Sequence, residues 1–183
     1  MDFDGTLYRI LELYGCTKEP NTGVKWTADQ QFAEVARIER EHPWLRGRKI
    51  IGIADPAIWT KDGSGISIAE RASEHGIYFD KANNDRINGW DQCHYRLQFD
   101  ERGIPQMYVF SNCEAFRRTI PTLMYDDVRV EDLDTDGEDH VADEWRYMCM
   151  ARPTLPTMAP KTKPKLIDPL DILPASRRNR RRY

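Results

Sequence analysis

The chain has 183 residues, 40% hydrophobic and 31% charged, with a formal net charge of −3. That is the balance of a soluble globular domain with one core, and it excludes a wholly disordered chain and a membrane protein, since no apolar run approaches the ~20 residues of a membrane-spanning helix. The opening residues, Met1-Asp2-Phe3-Asp4-Gly5, have neither the basic start nor the apolar stretch of a secretory signal, so a cytoplasmic location is expected.

Thr6 to Tyr14 alternates and is rich in aromatic and aliphatic residues, which predicts a strand opened by the Asp4-Gly5 turn and closed by Gly15. Thr27, with Gln30 three residues on, predicts a helix N-cap. Phe32, Val35, Ala36 and Ile38 follow at helical spacing, and Pro43 ends the helix. Lys49 to Ala54 is a short apolar run stopped by Asp55-Pro56, as expected of a strand buried on both faces of an α/β sheet. A helix over Ile66 to His75, a strand over Ile77 to Ala82 and a helix over Asp85 to Phe99 follow. Then come a turn at Gly103-Ile104-Pro105, a strand over Gln106 to Phe110 and a short helix over Cys113 to Thr119. Asp126 to Gly137 is an acidic loop. Glu138 to Met150 is a strong helix, with Val141, Trp145 and Met148 on one side. Strands alternating with helices predict an α/β domain over residues 1–152.

From Pro153 the composition changes. Six of the eleven prolines lie between Pro153 and Pro174, and the chain ends in Arg177, Arg178, Arg180, Arg181 and Arg182. Residues 153–183 read as a disordered basic tail. From Ala151 onward the net charge is +7, leaving −10 on the first 150 residues. An acidic body with a basic tail predicts an anionic partner for the tail, and the five arginines are candidate contacts to DNA phosphates. The acidic body is no electrostatic nucleic-acid binder, but clustered carboxylates are hard oxygen ligands for a divalent metal. The cysteines Cys16, Cys93, Cys113 and Cys149 have no zinc-ribbon or redox spacing and read as free thiols.

Two acidic features point to chemistry. Asp55 follows an apolar strand, and in open α/β sheets ligands gather at the carboxyl ends of strands; the plainer reading is a turn aspartate. On the predicted last helix, residues three or four apart share a face, so Asp139 and Asp143 stand one above the other with His140 beside Asp143. An acidic helix N-terminus explains Glu138 and Asp139 through the helix dipole. It does not explain Asp143 and His140 flanked by Val141 and Ala142.

Gly52-Ile53-Ala54-Asp55-Pro56-Ala57, followed by Asp139-His140-Val141-Ala142-Asp143-Glu144-Trp145-Arg146-Tyr147, resembles the nuclease domain of phage large terminases. The Asp-His-x-x-Asp-x-x-Arg-Tyr helix is the most specific piece, and the similarity covers roughly Asp2 to Pro153. The resemblance implies an RNase H-like mixed sheet flanked by helices. It also implies two-metal hydrolysis of concatemeric double-stranded DNA, with Mg²⁺ or Mn²⁺ held by Asp55, Asp143 and, less directly, Asp139, and with His140 as auxiliary ligand or proton handler. The family's partners would be the portal protein and the small terminase subunit, with no membrane. There is no Gly-x-x-x-x-Gly-Lys-Ser/Thr loop, so no ATPase activity is expected of this chain. The family's first metal aspartate lies on a strand ahead of the Asp2–Tyr14 region. That strand is expected to be missing here, which predicts weak or no cutting by the chain alone.

Two other functions compete. One is a non-catalytic terminase fragment that binds DNA or portal. The other rests on Asp2-Phe3-Asp4-Gly5-Thr6-Leu7, which resembles the opening motif of haloacid dehalogenase-type phosphatases, with Asp2 and Asp4 as nucleophile and acid/base. That motif normally ends a buried apolar strand, whereas here only Met1 precedes it. An Asp-Gly turn is the local alternative.

Overall fold

A computed structural model describes residues 5–17, 22–135 and 137–154. Asp2, Asp4 and the tail from residue 155, with Arg177, Arg178, Arg180, Arg181 and Arg182, lie outside the described residues. The described chain is mixed α/β. Its elements are β1 (Leu7–Arg9), α1 (Ala28–Glu41), β2 (Gly52–Ala54), α2 (Ile68–Glu74), β3 (Phe79–Lys81), α3 (Arg86–Leu97), β4 (Met107–Val109), α4 (Glu114–Thr119) and α5 (His140–Ala151).

The expected single mixed sheet is not what the described residues form. They build two separate parallel pairs, β1 with β4 and β2 with β3. The first pair is sealed by Tyr8 stacked on Tyr108, ring centroids 5.3 Å apart. In the second, Gly52 lies opposite Phe79, and a Cβ there would stand 2.5 Å from the Phe79 Cδ1. The glycine is what lets the two backbones close.

The strand expected over Thr6–Tyr14 is only three residues long. Phe110 N–H donates to the Arg9 carbonyl at 3.0 Å, and beyond it the chain leaves β4. The reason is Glu12, whose carboxylate accepts from Ala115 N–H at 2.5 Å and Phe116 N–H at 3.2 Å. These are donors of the first turn of α4, left without partners inside the helix. The strand expected over Lys49–Ala54 also shortens, and it is not buried on both faces. Gly52, Ile53 and Ala54 are half-buried and Ile51 is 51% exposed. A two-stranded sheet covers only one edge of β2, so its other edge faces a cleft.

The helices begin where their caps dictate. Thr27 accepts from Gln30 N–H at 3.2 Å and Gln30 Oε1 accepts from Thr27 N–H at 2.9 Å, the reciprocal box expected from the sequence. Ser67 and Glu70 form the same box on α2. Asp85 caps α3 by accepting from Asn88 N–H at 3.3 Å. Helix α2 ends at Gly76, whose φ of +77° is the left-handed conformation that glycine adopts without strain.

The core lies under the β1–β4 pair. Leu7 and Met107 face Trp90 and Cys93 of α3, Phe116 of α4, and Val141, Ala142, Trp145 and Cys149 of α5. The buried α5 positions recur at one-turn spacing, which makes the stripe that presses on α3 and α4. Phe116 meets Trp145 edge-on at 5.3 Å, a geometry that adds about 0.5–1.5 kcal/mol beyond the area buried. Buried Arg96 ties the two ends of the described fold together, donating to the Gly5 carbonyl at 2.7 Å and the Arg152 carbonyl at 2.5 Å. No helix among the described residues is long and apolar enough to cross a membrane.

Candidate functional site

The two facing strands β1 and β2 wall a cleft of about 610 Å³, and α5 crosses its floor. Tyr8 and Ile53 come from the walls, Asp55 from the end of β2, and His140, Asp143 and Tyr147 from α5. Asp55 and Asp143, 88 residues apart in sequence, thus share one cavity. Asp139 is not among the residues that line it.

Asp55 is fixed by its own turn. The strand stops at Pro56, and the Asp55 Oδ1 accepts from Ala57 N–H at 2.7 Å, capping the short 3₁₀ turn Pro56–Trp59. Its other oxygen accepts a hydrogen bond from the Tyr147 hydroxyl. That bond first, then the Ala57 N–H and the Arg146 charge, hold the Asp55 carboxyl below the usual carboxylate range. Burial, reinforced by Asp55, pushes the Tyr147 phenol up.

Asp143 lies one turn before Tyr147 on α5. Its Oδ1 accepts from Arg146 Nη2 at 3.0 Å, from Arg146 Nε at 3.2 Å and from Arg86 Nη1 at 3.2 Å. Arg86 on α3 also grips Asp132, Nε to Oδ1 at 2.8 Å, and Asp132 accepts from the Trp90 indole N–H at 2.8 Å and from Leu133 N–H at 2.9 Å. Asp132 is 3% exposed. Burial raises its carboxyl pKa, but the Trp90 and Arg86 bonds outweigh it and hold the carboxyl below its ordinary range. A continuous polar chain therefore runs from Asp55 through Tyr147 and Arg146 to Asp143, Arg86 and Asp132.

His140 opens α5 with its side chain 67% exposed, 3.5 Å from an Asp139 oxygen. Asp139 occupies the N-cap position without a side-chain cap bond; its carbonyl accepts from Asp143 N–H at 3.0 Å. Asp139 therefore stands one helical turn before Asp143, with an αR backbone at the N-cap. Asp139 lies against His140 and is not itself among the residues that line the cleft.

Five residues central to this geometry were not singled out as site residues from sequence. Arg146 and Tyr147 belong to the Asp-x-x-Arg-Tyr motif, and the i,i+3 spacing of Asp143 and Arg146 was the available signal. Gly89 lies in the interior of α3, where an added Cβ would meet Arg146 Cγ at 2.5 Å and Cδ at 2.7 Å. A glycine inside a helix pattern is a mark of close packing. Arg86 and Asp132 carry no local signal, because they meet across 46 residues.

The donor chemistry of Asp55 and Asp143 suits a hard divalent cation. However, among the described residues no group of three or more His, Cys, Asp or Glu stands close enough to hold a metal ion. Both oxygens of Asp55 and the Oδ1 of Asp143 already accept from protein donors. No protein-family model, curated protein or solved structure matches this chain.

Proposed function

We propose that this chain is part of the DNA-cutting nuclease of a phage packaging terminase, with an RNase H-like ancestry of its fold. Double-stranded DNA is the proposed substrate, and portal protein and small terminase subunit are the proposed partners. The observation that supports the reading is the shared cleft of Asp55, at the carboxyl end of β2, and Asp143, on α5. These are the two acids that the terminase-like motifs mark. Arg177, Arg178, Arg180, Arg181 and Arg182 of the tail are the proposed phosphate contacts.

Because no group of three possible metal ligands stands close together among the described residues, cutting by this chain alone is expected to be slow. The test is nicking of supercoiled plasmid with Mn²⁺, compared across the natural chain, Asp55→Asn and Asp143→Asn. Slow nicking lost in both variants supports the reading. Nicking that persists in both removes this cleft from the chemistry. The incomplete ligand set favours a second reading, a non-catalytic terminase component. Folded protein that binds DNA in a salt-dependent way and cuts none of it would decide for that alternative.

A further inference from the structure

The cleft between β1 and β2 has an open strand edge, a set of carboxylates and the start of the basic tail on its border. The Ala54 carbonyl accepts from Ala82 N–H at 2.8 Å, which turns Ala54 towards β3. Neighbouring residues of a strand bond to opposite sides, so the Ile53 N–H and carbonyl point away from β3, and Ile53 lines the cleft. Such an edge is a template for one more strand. Leu7, Ile51 and Met148 give the cleft apolar walls, and Asp55, Asp143 and Glu144 give it its charge. The donors on Asp143 all reach its Oδ1, which leaves Oδ2 for a further cation, and the Glu144 side chain is 57% exposed.

The tail starts at this cleft. Ala151 and Arg152 line it. Arg96 donates to the carbonyls of both Arg152 and Gly5, and the Thr154 hydroxyl donates to Gln106 Oε1 at 3.2 Å. Gly5 and Gln106 stand just ahead of β1 and β4, so the described chain ends at the N-terminal end of that strand pair. From Arg152 back to Asp143 is about 14 Å along α5. After Thr154 the sequence holds eight Lys or Arg against two Asp, and residues 161–167 read Lys-Thr-Lys-Pro-Lys-Leu-Ile. In an extended chain alternate residues share a face, so Lys161, Lys163 and Lys165 fall on one side. The chain from Thr154 to Lys161 reaches up to about 25 Å, more than the length of α5 back to Asp143.

We infer that residues 161–167 of this chain's own tail dock in the cleft as an extended segment along the free edge of β2, with Lys161, Lys163 and Lys165 set against Asp55, Asp143 and Glu144. Reach and opposite charge select this segment, and Pro164, which has no N–H to donate, suits an edge position. Docked there, the tail covers the cleft, and any larger ligand has to displace it. The inference stands on the cleft and the tail and not on the nuclease reading, and its readouts involve no DNA.

The experiment is zero-length carbodiimide cross-linking of the purified full chain, mapped by mass spectrometry on an equal mixture of heavy-isotope-labelled and unlabelled protein. Amide links from Lys161, Lys163 or Lys165 to Asp55, Asp143 or Glu144, without mixed-label pairs, are the expected result. Links from these lysines to Asp126, Asp127, Glu131 or Asp134 of the acidic loop instead would overturn the inference. So would links that join labelled to unlabelled chains, or no links from these lysines at all. Hydrogen exchange gives a second measurement, comparing the natural chain with Lys161→Gln/Lys163→Gln/Lys165→Gln. Losing three exposed ion pairs together raises the undocked fraction about 3- to 100-fold. Peptides spanning residues 51–55 are expected to exchange faster by that factor in the variant, with peptides over α2 unchanged. Equal exchange over residues 51–55 in the two proteins would show that the segment does not lie on β2.

Discussion

Gly89→Ala separates a general expectation from a specific one, because the two have opposite signs. In an ordinary helix interior the substitution stabilises by about 0.8–1.0 kcal/mol. Here the new methyl would stand 2.5 Å from Arg146 Cγ, 2.7 Å from its Cδ and 3.5 Å from Met150 Cγ. The first two are mid-stem atoms of a side chain whose far end is fixed on Asp143, so they cannot swing away without breaking that pair. Overpacking of this kind costs about 1–3 kcal/mol. Set against the propensity gain, the net is a loss of up to about 2 kcal/mol, or a midpoint lowered by up to about 4–8 °C for a domain of this size. The assay is urea unfolding of both proteins at neutral pH with EDTA present, read by tryptophan fluorescence and by circular dichroism. A variant more stable than the natural chain by the full helix-propensity gain would show that the Arg146 stem is free to move, and the close packing ascribed to Gly89 would fall.

Two further perturbations probe the surrounding network. Asp132→Asn keeps the size of the side chain and its acceptor for Trp90 but removes the charge that Arg86 holds at 2.8 Å. Because Arg86 is partly exposed, the loss is expected near the low end of a broken buried pair, about 2–3 kcal/mol, measured by urea unfolding; no change would mean the pair carries nothing. Glu138→Gln tests pH dependence. The Arg118 guanidinium, with the Tyr14 hydroxyl, holds the Glu138 carboxyl down from 4.5 to about 2. A group whose pKa is depressed on folding stabilises the fold above its unfolded value, and the benefit is lost as pH falls through the folded value. The stability gap between the natural chain and Glu138→Gln should therefore be full above about pH 5 and close on acidification towards pH 2. A gap independent of pH would refute the pairing.

Much of the fold was legible because its signals are local. The Thr27–Gln30 box, the Asp85 start of α3, and the Gly103-Ile104-Pro105 turn before β4 all depend on residues within a few positions of one another. What was not legible depends on distance in sequence. Glu12 shortens β1 by capping a helix more than a hundred residues later. The split into two parallel pairs follows from which edges meet, and a three-residue apolar strand says nothing about that. The site follows the same rule. Asp55 and Asp143 were marked by their places at a strand end and on a helix face, and the cleft brings them together with His140. Asp139 stands at the N-cap of the same helix, one turn before Asp143, and is not among the residues that line the cleft. The Arg86 link between Asp132 and Asp143 could not be read locally at all.

The cleft's charge sets a condition on any function involving DNA. A phosphate entering it meets Asp55, Asp143 and Glu144, with Arg152 the arginine on the lining and His140 at its rim. Glu144 is bridged to Arg9 at 2.6 Å, and Asp143 already takes both Arg86 and Arg146. Apart from Arg152, the arginines near the cleft are therefore committed to carboxylates, and little positive potential is left to draw in an anion. For the nuclease reading this makes an added cation a requirement of substrate approach as well as of chemistry. The slow cutting expected of this chain then has a physical origin in the acidic lining of the cleft, separate from any shortage of ligands.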